Sequence, residues 1–342
     1  MRLDQALFVP RVISYAPSWF CTAGCSHCFL SHEARKQDNY SDLVLNALLA
    51  DLPSAIRVVA INGGEPLERA ARTWWILEKI HSKSRLTSLV TNGSWAQDQS
   101  RVRRFLEDSY SLGLRGLAIS YDDYHHVSIP ERCLIDLVEN AAALGISVRI
   151  KGVGKSFSRR MQILAGKCDI LKNAKGMENY NLQRVGNARR RKADIVFSGA
   201  VDHCLGLREP WLTPGGDVFA CCSPAALSEK NSPLYLGNVL KAPLSGLMEN
   251  ASRDLFRAAL VAFGAIELCQ VLGVATHGAT GDTQCERCLS ILSNDRIVRE
   301  IRAELDRSPS VKKEVVARVI LLESLGHLDL GPEFREPESS LE

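Results

Sequence analysis

Over its first 190 residues the chain alternates six short apolar runs with segments of helical periodicity, and this alternation is what most restricts its fold. Ile56 to Ile61 reads IRVVAI, a continuous apolar run of the kind a parallel strand covered on both faces requires. The other runs are Arg11 to Ala16, Leu86 to Thr91, Leu114 to Ser120, Ile146 to Val153 and a weaker one at Glu178 to Val185. Between them, Leu45, Leu48, Leu49 and Leu52 follow the cap candidate Ser41 at helical spacing, and Val102, Phe105 and Leu106 repeat the pattern. Leu134, Leu137, Val138 and Ala141 do the same between Pro130 and Gly145. Strands alternating with helices imply a parallel sheet, open or curled, and six units fall short of the eight of a full barrel. The pattern changes after about residue 190. Short strand-like runs (WLTP, DVFACC, LYLGNVL) occupy 198–245, 250–275 reads as helix, and 276–284 as a polar loop. Two helices, broken near Ser308 and Pro309, fill 289–325. A length of 342 residues allows two domains at ~150 residues each.

The cysteines are the second constraint. There are eleven, an odd number, in a chain too long to need disulfide staples. Asp4, Gln5 and Pro10 interrupt the first apolar stretch, so no secretory signal is read there. The best membrane-spanning candidate, Leu255 to Ala275, carries Arg257 and Glu267. The expectation is a cytoplasmic protein with reduced thiols and no membrane partner. Lys plus Arg minus Asp plus Glu (42 − 39) gives a net charge of +3, which disfavours a DNA-coating role. The lack of clustered aromatics likewise disfavours RNA. Cys21, Cys25 and Cys28 form C-x3-C-x2-C directly after the first strand, at the edge where α/β folds bind ligands. Three thiolates on a short loop can hold one face of a cubic iron–sulfur cluster and leave one iron open. A zinc site with His27 as fourth ligand is the alternative, but His27 lies between two of the cysteines, where a tetrahedral wrap is strained.

This cysteine loop, joined by Gly63-Gly64-Glu65-Pro66 at the end of the second strand, resembles the radical S-adenosylmethionine (radical SAM) enzymes, whose motifs are C-x3-C-x2-C and GGEP. Two glycines let the backbone approach a ligand closely. The resemblance covers residues 10–190 and implies a partial (β/α)6 TIM-like barrel. It also implies a [4Fe-4S] cluster on Cys21, Cys25 and Cys28 whose open iron binds SAM, with a 5′-deoxyadenosyl radical removing a substrate hydrogen. By the same resemblance, the carbonyls of Gly63 and Gly64 together with Glu65 meet the SAM ammonium. Ser120 and Lys151 meet its carboxylate, and Asn92 or Asp122 meets the ribose or the substrate. Each of these is otherwise a polar residue solvating a strand end.

A second set begins at Cys204, which with Gly216 and Cys221 spells C-x11-G-x4-C; Cys285 and Cys288 form C-x2-C downstream. Together with WLTPGGDVFACC and LGNV this resembles the SPASM and Twitch extensions of the same family, the absence of later cysteines favouring Twitch. The resemblance implies one auxiliary [4Fe-4S] cluster; a zinc-ribbon-like site is the alternative. Cys222 is then a spare thiol beside the metal and a candidate hydrogen-atom donor. Cys133, Cys168 and Cys269 read as small buried hydrophobes. The expected organisation is a barrel over 1–192, an auxiliary-cluster unit over 193–290, and C-terminal helices with a polar tail over 291–342. The expected activity is modification of a ribosomally made precursor peptide, by cross-link, thioether or epimerisation, with a flavodoxin- or ferredoxin-type electron donor. Only twenty residues precede Cys21, too few for a leader-binding domain. A small-molecule dehydrogenase or maturase is therefore the alternative, and a non-catalytic zinc or RNA-binding protein a third reading.

Overall fold

A computed structural model describes residues 8–125, 129–154, 156–172, 177–180, 184–190 and 205–324. Its centre is a sheet whose first six strands are β1 Val12–Tyr15, β2 Val58–Ile61, β3 Leu86–Thr91, β4 Leu114–Ser120, β5 Ser147–Val153 and β6 Met177–Tyr180. All pair in parallel with their sequence neighbours. The crossovers carry α1 Asp42–Ala50, α2 Ala70–His81, α3 Gln99–Ser111, α4 Glu131–Ala143, α5 Phe157–Ala165 and the short α6 Asp169–Lys172. This is the expected βα array, and its sequence cues hold locally. Ser41 caps α1 through Val44 N, and Gly145 adopts φ +76° just past α4. All four residues of β2 are buried, as its apolar run requires.

The pleat separates two environments. Ile13, Tyr15, Val59, Ile61, Leu89, Leu117, Ile119 and Ile150 point toward the helices and join one continuous core with Leu45, Leu48, Ile76, Leu77, Leu106 and Leu137. Alternate positions face the inside of the curled sheet, and several are polar: Ser14 and Asn62 are hydrogen-bonded there at 2.8 Å, and Ser120 lies beside Lys151 in the β4–β5 ladder.

The sheet does not stop at the boundary expected near 192. Strand β7 Trp211–Leu212 pairs in parallel with the free side of β1, and β8 Asp217–Phe219 and β9 Tyr235–Asn238 continue antiparallel. The strand order is β6-β5-β4-β3-β2-β1-β7-β8-β9, and among the described residues no ladder closes β9 onto β6. Leu212, Val218 and Val239 complete the first core, while Phe219, Ala220 and Cys221 belong to a second one. That second core is built with α8 Leu255–Leu272, α9 Gln284–Leu292, α10 Asp295–Arg307 and α11 Pro309–Ser324, after α7 Leu244–Arg253 has packed on the first. The break near Ser308-Pro309 is as read, but α9 begins where a loop was expected. Its Cys-Glu-Arg-Cys opening lacks an apolar stripe; a capping box between Thr283 and Glu286 starts the helix instead. Among the described helices, α8 is long and apolar enough to cross a membrane, yet 61% of it is buried in the protein. Its Glu267 pairs with Arg318 at 2.9 Å.

Candidate active site

The cysteine loop leaves β1 at the C-terminal edge of the sheet and is held there by its neighbours. Gly64 N donates to Ser18 O at 3.0 Å and Glu65 N to Phe20 O at 2.8 Å, so the turn after β2 lies against the loop backbone. A Cβ on Gly64 would stand 2.1 Å from Phe20 O, and one on Gly63, at φ +112°, 2.6 Å from Ser18 O. The close approach made by these two glycines in the structure is thus to the cysteine loop. Glu65 is fully enclosed. It accepts from Leu67 N (3.1 Å), Thr91 Oγ1 (2.8 Å) and Asn92 N (2.7 Å), which ties the end of β2 to the end of β3. Burial pushes its carboxyl up to about 7 against the pull of these donors.

Cys21, Cys25 and Cys28 are all partly exposed on this loop. Asn92 Nδ2 lies 3.8 Å from Cys21 Sγ, Cys21 N donates to Arg35 O at 2.9 Å, and Cys28 N to Cys25 O at 3.2 Å. Burial pushes the Cys21 thiol up to about 12 and raises that of Cys28 as well. Arg35 is buried behind them. One guanidinium nitrogen meets His32 Nδ1 at 2.9 Å, and Nε has no hydrogen-bond partner. A buried cation with an unsatisfied donor, near enough to draw the Cys28 thiol down, suits an anionic group held by the loop. The donor set and its charge fit a thiolate-bound iron–sulfur cluster. Nothing in the sequence distinguishes Arg35 from a surface arginine.

The outer side of the loop is aromatic. His27 stacks on Tyr124 with ring centroids 4.4 Å apart and meets His125 edge-on at 4.5 Å. The ligand atoms of Cys25, His27 and His125 lie within 4.8 Å of one another. His27, expected to be strained as a ligand, thus lies within reach of Cys25 together with a second histidine from the β4 end. His125 Nδ1 is 3.0 Å from Asp122 Oδ1; burial lowers its pKa, but Asp122 and Cys25 more than offset this and raise it to about 9. His126 lies outside the described residues.

The remaining SAM-site expectations fall on the same edge. Asn92 is buried, with Oδ1 accepting from Ser94 N at 2.8 Å. Ser120 and Lys151 stand side by side across the β4–β5 ladder. Asp122 is enclosed and accepts from Tyr124 N (2.8 Å), His125 N (2.9 Å) and Val153 N (3.0 Å), so its oxygens shape the turn after β4. A polar chain missed in the sequence runs inside the sheet: Glu209 accepts from Ser14 Oγ, which accepts from Asn62 Nδ2, while Asn62 Oδ1 accepts from Trp211 Nε1 at 2.9 Å. The two ends of this chain lie about 195 residues from the first strand, which hides it from local pattern reading.

In the second set, Cys204 and the neighbouring His203 lie outside the described residues. Cys221 is buried in the second core, and its sulfur accepts from Ser223 N at 3.3 Å. Cys288 packs against the same core, and the turn Pro224–Ser228 lies against α9, which carries Cys285 and Cys288 on its first turns. Cys222, adjacent to Cys221 in sequence, is half-buried. Cys168 and Cys269 are buried as expected, and Cys133 packs on the first core.

No family sequence profile matches the chain. It is 24% identical over 222 residues to the putative peptide biosynthesis protein YydG of Bacillus subtilis (strain 168), covering 61% of this chain and 68% of that one. In fold it is similar to native anSMEcpe with bound S-adenosylmethionine and the Cp18Cys peptide, at a TM-score of 0.52 and 14% identity, over 92% of this chain and 99% of that one. Native anSMEcpe with bound S-adenosylmethionine alone gives 0.50 at 14% identity over the same shares. The cysteine loop and the GGEP turn are thus joined on a fold similar to that of anSMEcpe, as their resemblance to the radical SAM motifs implies.

Proposed function

We propose that the chain is a radical SAM enzyme that modifies a peptide. The observation that carries this is the assembly of the Cys21–Cys28 loop, the Gly63–Glu65 turn and Asn92 into one hydrogen-bonded edge, backed by a buried Arg35. Cys21, Cys25 and Cys28 hold a [4Fe-4S] cluster there. When bound, that cluster with SAM supplies reductive carbon–sulfur cleavage and hydrogen-atom abstraction from the substrate. The chain's own residues do the rest. Ser120 and Lys151 receive the SAM carboxylate, the Gly63–Gly64 carbonyls its ammonium, and Asn92 its ribose. Glu65 and Asp122 brace the strand ends that carry these groups. Cys204, Cys221, Cys285 and Cys288 hold an auxiliary [4Fe-4S] cluster, which leaves Cys222 to return a hydrogen atom to the peptide. That return makes epimerisation the favoured reaction. The peptide substrate rests on two likenesses: a relative described as a peptide biosynthesis protein, and a fold neighbour solved with a peptide bound.

Anaerobic purification with iron and sulfide counting tests the reading. Roughly eight irons per chain, with 5′-deoxyadenosine released from SAM by a reductant, is the expected result. Cys21→Ala is expected to lose the first cluster and the cleavage together. A colourless, sulfide-free protein holding zinc on Cys25, His27 and His125 overturns it. For the donor role, Cys222→Ala should keep both clusters and SAM cleavage while losing the altered peptide product.

A further inference from the structure

The segment just after β6 touches both cysteine-bearing elements within a few residues. At one end, Asn187 N donates to Cys28 O at 2.9 Å, and Asn187 Nδ2 lies 3.5 Å from Cys25 O. Gly186, at φ +56°, is so close to the loop that a Cβ would stand 2.0 Å from Phe29 O. At the other end, Arg184 grips α9. Its Nε meets Glu286 Oε1 at 2.9 Å, and its Nη2 meets Glu286 Oε2 at 3.2 Å and Asp282 Oδ2 at 2.9 Å. Glu286 stands between Cys285 and Cys288 in sequence and also closes the capping box that starts α9, accepting from Thr283 N at 3.2 Å.

A lone exposed ion pair contributes little to stability. This one is forked on a planar guanidinium, and its carboxylate is mostly buried and already fixed by the helix start, so it carries geometric information. Arg184 and Glu286 lie 102 residues apart in sequence, so their pairing joins distant parts of the chain.

We propose that Arg184 and Glu286 form a clasp that sets the spacing between the Cys21–Cys28 loop and the Cys285–Cys288 helix, with Gly186 and Asn187 as its other jaw. Arg184 is then a positioning residue, acting through α9 and the loop. The inference rests on the two-cluster reading for its consequence, while the clasp itself is a property of the polypeptide.

Two measurements separate these. In metal-free protein, amide hydrogen exchange over 184–190 and 284–292 should rise together by roughly tenfold in Arg184→Ala, with 58–61 unchanged. Glu286→Gln, which keeps a capping-box partner at N3, should raise exchange at 184–190 without melting α9. In loaded, fully reduced protein, the magnetic coupling between the two clusters should broaden or vanish in Arg184→Ala, and Arg184→Lys, whose ammonium cannot fork across Glu286, should restore it only in part. Wild-type exchange at both segments in Arg184→Ala overturns the clasp. A wild-type protein with one cluster overturns the two-cluster reading instead, and the exchange result then still decides the clasp.

Discussion

Asp217, at the start of β8, gathers three donors: Lys230 Nζ at 2.6 Å, Tyr235 Oη at 3.0 Å and Asn238 Nδ2 at 3.0 Å. Burial pushes its carboxyl up, but Lys230, Asn238 and Tyr235 more than offset that and hold it below the ordinary carboxylate range. A depressed folded-state pKa means that its contribution is fully present above the unfolded value of about 3.9 and is lost as pH falls through the folded one. Denaturation of metal-free protein should therefore show Asp217→Asn less stable than wild type at pH 7, with the two converging below about pH 3. Equal stability at pH 7 would show that the three donors contribute nothing net. At this scale the sequence was most readable where chemistry depends on spacing. Cys21, Cys25, Cys28 and the glycine pair announce themselves within a few residues of chain. Arg35 does not, because its role comes from burial, and burial is a property of what folds over it.

Elements were readable where one face is apolar and both ends are marked. Strands β3 and β4 match their apolar runs residue for residue, and α1 follows from its cap and leucine spacing. Leu48 is fully buried between α1 and the sheet. Leu48→Ala should cost about 2–5 kcal/mol through lost transfer energy and the cavity left behind, read as a lower denaturant midpoint. A loss under about 1 kcal/mol would mean that the site collapses around the smaller side chain. Helix α9 escaped notice because its first turn is cysteine and charge. The capping signal was there at Thr283 and Glu286, but it had no apolar run behind it until Leu289. Strand β7 has two residues and no periodicity of its own; it exists because β1 offers an edge.

For the whole molecule, that edge is the least legible and most consequential feature. Alternation predicts β1 to β6 in order; it does not predict that Ser14 N and Ala16 N donate to Pro210 O and Leu212 O, nearly 200 residues later. A chain truncated after Arg190 would leave that side of β1 open and strip Leu212, Val218 and Val239 from the first core. Exposed strand edges recruit other strands, so the truncated chain should aggregate on refolding, as light scattering would report. A soluble monomer with native-like circular dichroism would show that the parallel array is self-sufficient. The same placement orders events in time. The strand that leads into the cysteine loop is made early, yet one of its two flanking strands follows nearly 200 residues later. Until then the nascent chain has no finished cradle, and any group that the cysteines hold is expected to enter after that strand is in place rather than before it.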